Sequence, residues 1–215
     1  MLKNKSGFTL IELMIALAIN AILLSGLLYL FTANLAHYQR VVNINRLNQQ
    51  LQSTLELMAN DIRRAGYWGN ARNDVGSATN NNPFVATGAD LTISGSCILF
   101  TYDQNNNGTL PSISSSVDDE RYGYMLTNGA VQARPPGGTF ACNATDWENI
   151  TDPNVINITA LSFTQTTKTV TTGPATRGLT MRSVDISISG RLVSDTTVTK
   201  TMTMHVRLRN DKFIP

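Results

Sequence analysis

The stretch "FTLIELMIALAINAILLSGLLYLFTA", Phe8 to Ala33, carries one charge, Glu12, in an otherwise almost wholly apolar run. As a helix rising 1.5 Å per residue it spans roughly 39 Å, more than the ~30 Å hydrocarbon core of a bilayer. Such a segment has no polar face to turn to water, so it predicts a membrane helix. Lys3 and Lys5 precede it and no comparable basic cluster follows at once. The positive-inside rule then puts the N-terminus in the cytoplasm and the bulk of the chain across the membrane. A carboxylate near the start of a membrane helix costs a few kcal/mol unless something neutralises it, so Glu12 asks for a partner. An ordinary secretory signal cleaved near "FTANLA" is the alternative, but its hydrophobic region would be overlong and would carry Glu12 without a reason.

The order of features in "KSGFTLIELMIALAI" is more specific than its hydropathy. A short basic leader ends in Gly7, an aromatic residue follows at Phe8, and a glutamate stands at Glu12. This resembles the type III signal of type IV pilins and type II secretion pseudopilins. The resemblance implies that a prepilin peptidase cuts between Gly7 and Phe8, removing residues 1–7, and that the new amine becomes N-methyl-Phe8. It also implies that Glu12 pairs with the N-terminal amine of a neighbouring subunit, with a glutamate that merely snorkels to the interface as the bland alternative. The stretches "LELMANDIRRAGYWGN", "CILFTYDQNNNG" and "ERYGYMLTNGAVQAR" resemble the PilW group of minor pilins and its relative, pseudopilin J. Major pilins commonly carry a helix-breaking Gly and Pro at positions that correspond here to Ala21 and Tyr29. This segment has no proline, and Gly26 beside Ser25 is its one soft spot. That departure favours a minor subunit.

Apolar positions Ile44, Leu47, Leu51, Leu55, Met58, Ile62 and Ala65 recur every three or four residues, the stripe of an amphipathic helix continuing over 34–69. Gly66 and Gly69 offer its stop, and Arg63 and Arg64 are expected to complement the helix dipole. Residues 70–95 read as a polar linker with too few apolar groups for a core of their own. Beyond it "CILFTY", "YGYMLTNGAVQA", "SVDISISGRLV" and "TVTKTMTMHVRLR" read as strands. Asn128-Gly129 makes a hairpin turn, a bulge reconciles the opposite parity of Ile156 and Ile158 with Leu161 and Phe163, and a turn near Ser194 to Thr196 joins the last two strands. The expected architecture is α+β: a long N-terminal helix, half in membrane and half packed on an antiparallel sheet, pilin-like, with residues 70–215 forming the globular β-rich domain.

Cys97 and Cys142, the chain's two cysteines, fall on the side of the membrane where disulfides persist, so a bridge is expected, with two buried thiols as the alternative. In "DQNNNG", Asp103, Asn105 and Asn107 occupy the first, third and fifth positions of a calcium loop with Gly108 at the sixth. The twelfth position is Ser114 instead of a glutamate, so an Asn-Gly turn competes with a calcium site; Asp118, Asp119 or Glu120 supplies a carboxylate only if the loop folds back. No other cofactor is expected. His37 and His205 have no zinc-ligand neighbours and no phosphate-loop or nucleophile-elbow motif occurs, so no enzyme is expected. The charge balance, 17 basic against 15 acidic residues, lacks the footprint of a nucleic-acid binder, and none is expected as partner. The resemblance implies a minor type IV pilin acting in pilus initiation or assembly, hence in adhesion and twitching motility. Its implied partners are other minor pilins, the major pilin, the prepilin peptidase and the inner-membrane assembly platform. A minor pseudopilin of a secretion system, or a membrane-tethered adhesin using the same export route, are the alternatives.

Overall fold

The computed structural model describes residues 7–74, 77, 79–111, 118–171 and 178–214. Lys3, Lys5 and Ser114 lie outside them. One helix, α1, runs Leu10–Ile62. No proline interrupts it, and at its one glycine the Ser25 hydroxyl bonds back to the Ile22 carbonyl at 2.7 Å, so the soft spot stays helical. By contacts the chain divides into two units, Met1–Asn45 and Arg46–Pro215.

In the first unit the side chains of residues 7–32 are all exposed. The apolar run is therefore exposed throughout residues 7–32.

In the second unit α1 buries Leu47, Leu51, Leu55, Met58 and Ile62, the stripe expected from their spacing, each contributing about 1.5–3 kcal/mol. The helix stops short of Gly66. Arg64 and Ala65 N–H turn back on Asp61 and Ile62, and Gly66 at φ +76° sends its own N–H to the Thr101 carbonyl at 2.8 Å. Arg63 and Arg64 fall past Ile62, and the last turn of α1 holds no basic residue. Arg64 stacks over the Tyr102 ring, 4.7 Å from its centroid, while Arg63 stands directly at the helix end, its N–H donating to the Ala59 carbonyl at 3.0 Å.

Among the described residues there are two antiparallel sheets where one was expected. The first takes β1 (Thr92–Ser94), β2 (Cys97–Thr101), β3 (Arg121–Thr127), β4 (Ala130–Ala133) and β5 (Glu148–Asn149) in that order. The second orders β6 (Ile156–Thr171), β7 (Gly178–Leu192) and β8 (Thr199–Arg207), with β9 (Lys212–Ile214) also pairing with β7. Alternation along β7 buries Val184, Ile186, Ile188 and Leu192, the positions the sequence pattern selects. The expected bulge lies between Ile158 and Ala160, and Asn128 and Gly129 take the positive φ angles of the β3–β4 turn. The two-sheet division comes from β6 and β7, which pair over their full length and leave the β1–β5 meander to close separately. Leu51 packs closely over β7 because the residue beneath is Gly190. A Cβ there would stand 3.2 Å from Leu51 Cδ2.

The polar linker contributes more than expected. Pro83–Val85 forms a 3-10 turn capped by the Asn82 side chain, and Phe84 is fully buried in the core. Nothing in its polar surroundings signals a core residue.

Candidate functional site

The mature N-terminus implied by the sequence stands at the mouth of α1. Gly7, Phe8 and Thr9 precede the helix in extended or irregular backbone, and Phe8 is 91 % exposed. A Cβ added at Gly7 meets nothing within 4 Å. The chain's own fold therefore does not demand glycine there.

Glu12 finds a partner within its own chain. Its Oε2 accepts from the Thr9 backbone N–H at 2.9 Å and from the Thr9 hydroxyl at 2.8 Å, while Thr9 Oγ1 faces the Glu12 N–H at 3.4 Å. This reciprocal arrangement is a capping box, with Thr9 as N-cap and Glu12 three residues on. It satisfies donors that every helix start leaves open and places a negative charge against the positive end of the helix dipole. Oε1 of Glu12 has no partner among the described residues. Thr9 is a functional candidate that attention to Glu12 alone overlooks; the T-x-x-E spacing in "TLIE" is the signal that finds it.

The two cysteines meet. Cys97, at the start of β2, is bonded to Cys142, in the loop between β4 and β5. Cys97, Leu99, Met125 and Trp147 form a small buried cluster with Phe140, Cys142 and Ala144 against it. The bridge thus ties a long loop to one face of the first sheet.

At the Asp103 loop the structure uses the oxygens differently from a calcium loop. Asn105 Oδ1 accepts from the Asn107 N–H at 2.9 Å, and Asn107 Oδ1 from Thr109 N–H at 2.8 Å, so both amides form Asx turns. Asp103 Oδ2 accepts from the N–H groups of Gly69 and Gly108 at 2.8 and 3.0 Å. The chain does fold back: Glu120 Oε1 accepts from the N–H groups of Gln104 and Asn105 at 2.8 and 3.2 Å. Asp103 and Glu120 are only 2 % and 1 % exposed. Their remaining oxygens, Asp103 Oδ1 and Glu120 Oε2, meet no donor from other groups. Two buried carboxyl groups held together are satisfied when one keeps its proton and donates it to the other. Burial foremost, with the charge and hydrogen bond of Asp103, raises the Glu120 carboxyl above its ordinary range, against the lowering effect of the Asn105 and Gln104 amides. No group of three or more His, Cys, Asp or Glu side chains suited to a metal occurs among the described residues. In the Asp103, Asn105, Asn107 set both asparagines thus form turns, and Asp103 and Glu120 each bury one oxygen beside them without a hydrogen-bond partner from other groups.

Residues 2–28 match the prokaryotic N-terminal methylation motif, and residues 40–208 match the family described as prepilin peptidase-dependent protein B. The chain is 24 % identical over 157 residues to prepilin peptidase-dependent protein B of Escherichia coli (strain K12), across 72 % of this chain and 75 % of the relative. It is 29 % identical over 157 residues to an uncharacterized protein of Haemophilus influenzae, across 55 % of this chain and 65 % of that protein. No solved structure matches.

Proposed function

The chain belongs to the prepilin peptidase-dependent protein B family of pilin-like proteins, and from that premise we propose that it is a minor type IV pilin with a structural, non-enzymatic role. Prepilin peptidase cuts between Gly7 and Phe8, Phe8 is methylated, and α1 holds the subunit as a single-pass anchor with its β-rich domain on the periplasmic side. The subunit then joins other minor pilins and the major pilin at the inner-membrane assembly platform, to initiate or enter a pilus. Resemblance to the PilW group favours this assignment within the superfamily.

The observation that carries the reading is the bare helix start: an apolar run exposed throughout residues 7–32, with a methylation motif across residues 2–28. In an assembled bundle neighbouring helices cover it. Thr9 holds one oxygen of Glu12 and leaves Oε1 to receive the methylated amine of the next subunit. In low dielectric that opposite charge attracts strongly, and removing one member of such a buried pair costs about 3–5 kcal/mol.

Glu12→Ala tests the mechanism. Membrane insertion and cleavage should continue, since the Gly7–Phe8 junction is intact, while incorporation into pili or minor-pilin complexes should fail. Mass spectrometry of the mature wild-type chain should find methylated Phe8 at its start. Normal incorporation of Glu12→Ala, or a mature chain beginning elsewhere, would overturn the proposal.

A further inference from the structure

We propose that a cationic pocket at the C-terminal ends of α1 and β8 binds a short acidic segment of a partner protein. Arg63, His205, Arg207, Leu208 and Arg209 line a cavity of about 470 Å³. That volume lies within the range of small-ligand sites and suits a few side chains.

The pocket is built on a fixed backbone. The Arg209 N–H donates to the Arg63 carbonyl at 3.0 Å, and the Leu208 N–H to the Arg182 carbonyl at 3.0 Å. The Asn210 side chain donates to the Arg64 carbonyl at 3.0 Å, and Leu208 is fully buried. These contacts clamp the segment after α1 to the end of β8 and hold Arg63 and Arg209 side by side. The backbone that carries the two arginines is thus set by folding, before any ligand arrives.

The charges in it are unequally committed. His205 Nδ1 lies 2.6 Å from Asp185 Oδ1, its cross-strand neighbour on β7. Arg207 reaches only Asp211, at 3.4 Å, with 65 % of its side chain exposed. Arg63 and Arg209 have no carboxylate partner among the described residues. Two guanidinium forks without a carboxylate partner among the described residues, and a third loosely held one, match the paired oxygens of two or three carboxylates.

The lining distinguishes carboxylates from a nucleic acid. Sites that track a phosphate backbone combine a basic stripe with aromatic stacking platforms. This pocket is a compact cluster, it has no aromatic residue among the described residues of its lining, and the chain's formal net charge is only +2. The site shares no residue with the Thr9–Glu12 start of α1, so its test stands apart from the assembly mechanism above.

The experiment uses the mature chain in a neutral detergent, with fluorescent hexaglutamate as probe and a hexathymidylate oligonucleotide and inorganic phosphate as competitors. Hexaglutamate should bind, more weakly as salt rises, and Arg63→Ala with Arg209→Ala should reduce affinity at least about tenfold. The double Lys replacement should recover only part of that loss, since the point charge remains but the fork does not. Lys200→Ala, an exposed cation elsewhere on β8, should leave binding unchanged. Absence of hexaglutamate binding at low salt overturns the proposal. So does an equal loss in Lys200→Ala, or tighter binding of the oligonucleotide than of the peptide. Thermal unfolding of each variant separates lost binding from lost fold. A double Ala variant that unfolds leaves the Lys variant and the competitors to decide.

Discussion

Breaking the Cys97–Cys142 bridge gives a stability loss that can be worked from chain geometry. The linked residues are 45 apart in sequence. On the chain-entropy model a loop of that length confines the unfolded chain by about 13 cal/mol/K, or about 4 kcal/mol at room temperature. For a chain of this size each kcal/mol moves the melting point by about 2–4 °C, so the shift should be roughly 8–16 °C. Reduction with dithiothreitol is the cleaner perturbation, because both sulfur atoms stay in the cluster with Leu99, Met125 and Trp147. Cys97→Ala with Cys142→Ala adds the lost sulfur packing to the same entropic term and should fall somewhat further. The assay is thermal unfolding of the mature chain in detergent, oxidised against reduced, with thiol alkylation confirming complete reduction. If the fully reduced chain kept its fold and melted within about 2 °C of the oxidised one, constraint of the unfolded chain would not be the source of stability here. Recovery of both cysteines as free thiols from exported protein would remove the bridge itself.

Two further outcomes follow from the Asp103 loop. Because the Glu120 carboxyl is raised in the fold, its stabilisation is complete below the ordinary glutamate pKa of about 4.3 and is lost as pH rises through the raised value. Glu120→Gln supplies a permanent donor to Asp103 and keeps an acceptor for the Gln104 and Asn105 amides. The wild-type minus variant difference in melting temperature should therefore become more negative from pH 4 to pH 8, and a flat difference would show that the pair shares no proton. Gly108 sits at φ +77°, and a Cβ there would fall 1.8 Å from Asn70 Nδ2. Gly108→Ala should cost about 1–3 kcal/mol in chemical denaturation, and adding Asn70→Ala should recover the steric part alone. Equal stability of Gly108→Ala and wild type would mean the loop moves freely off the turn after α1.

What the sequence makes legible here is periodicity and local chemistry. The stripe from Leu47 to Ile62, the parity of Val184, Ile186 and Ile188, and the Asn128-Gly129 turn each depend on neighbours within a few residues, and each appears in the structure. The calcium pattern is ambiguous in sequence for a physical reason: Asx turns and calcium loops both place side-chain oxygens on alternate residues. Glu120, which accepts from the Gln104 and Asn105 amides, lies outside that local pattern, so its place at the loop is not legible from spacing. Phe84 and the two-sheet division are likewise settled by contacts between distant segments. Thr9 was within reach of local reasoning, but a charge in an apolar run draws the eye to a distant partner when its nearest one is three residues away.

The disulfide also sets a clock. Both cysteines lie beyond the apolar run, and in the orientation proposed above, with the N-terminus on the cytoplasmic side, the chain would be delivered outward in sequence order. Cys97 then arrives 45 residues ahead of Cys142. If delivery keeps pace with synthesis at about 5–20 residues per second, Cys97 waits about 2–9 seconds as a free thiol before its partner emerges. During that interval β2 lacks its cover and the first sheet has no closure. Oxidation that outpaces export would capture Cys97 with a thiol from another molecule. In that orientation the spacing of the two cysteines would make this chain's yield depend on the relative rates of its delivery and its oxidation.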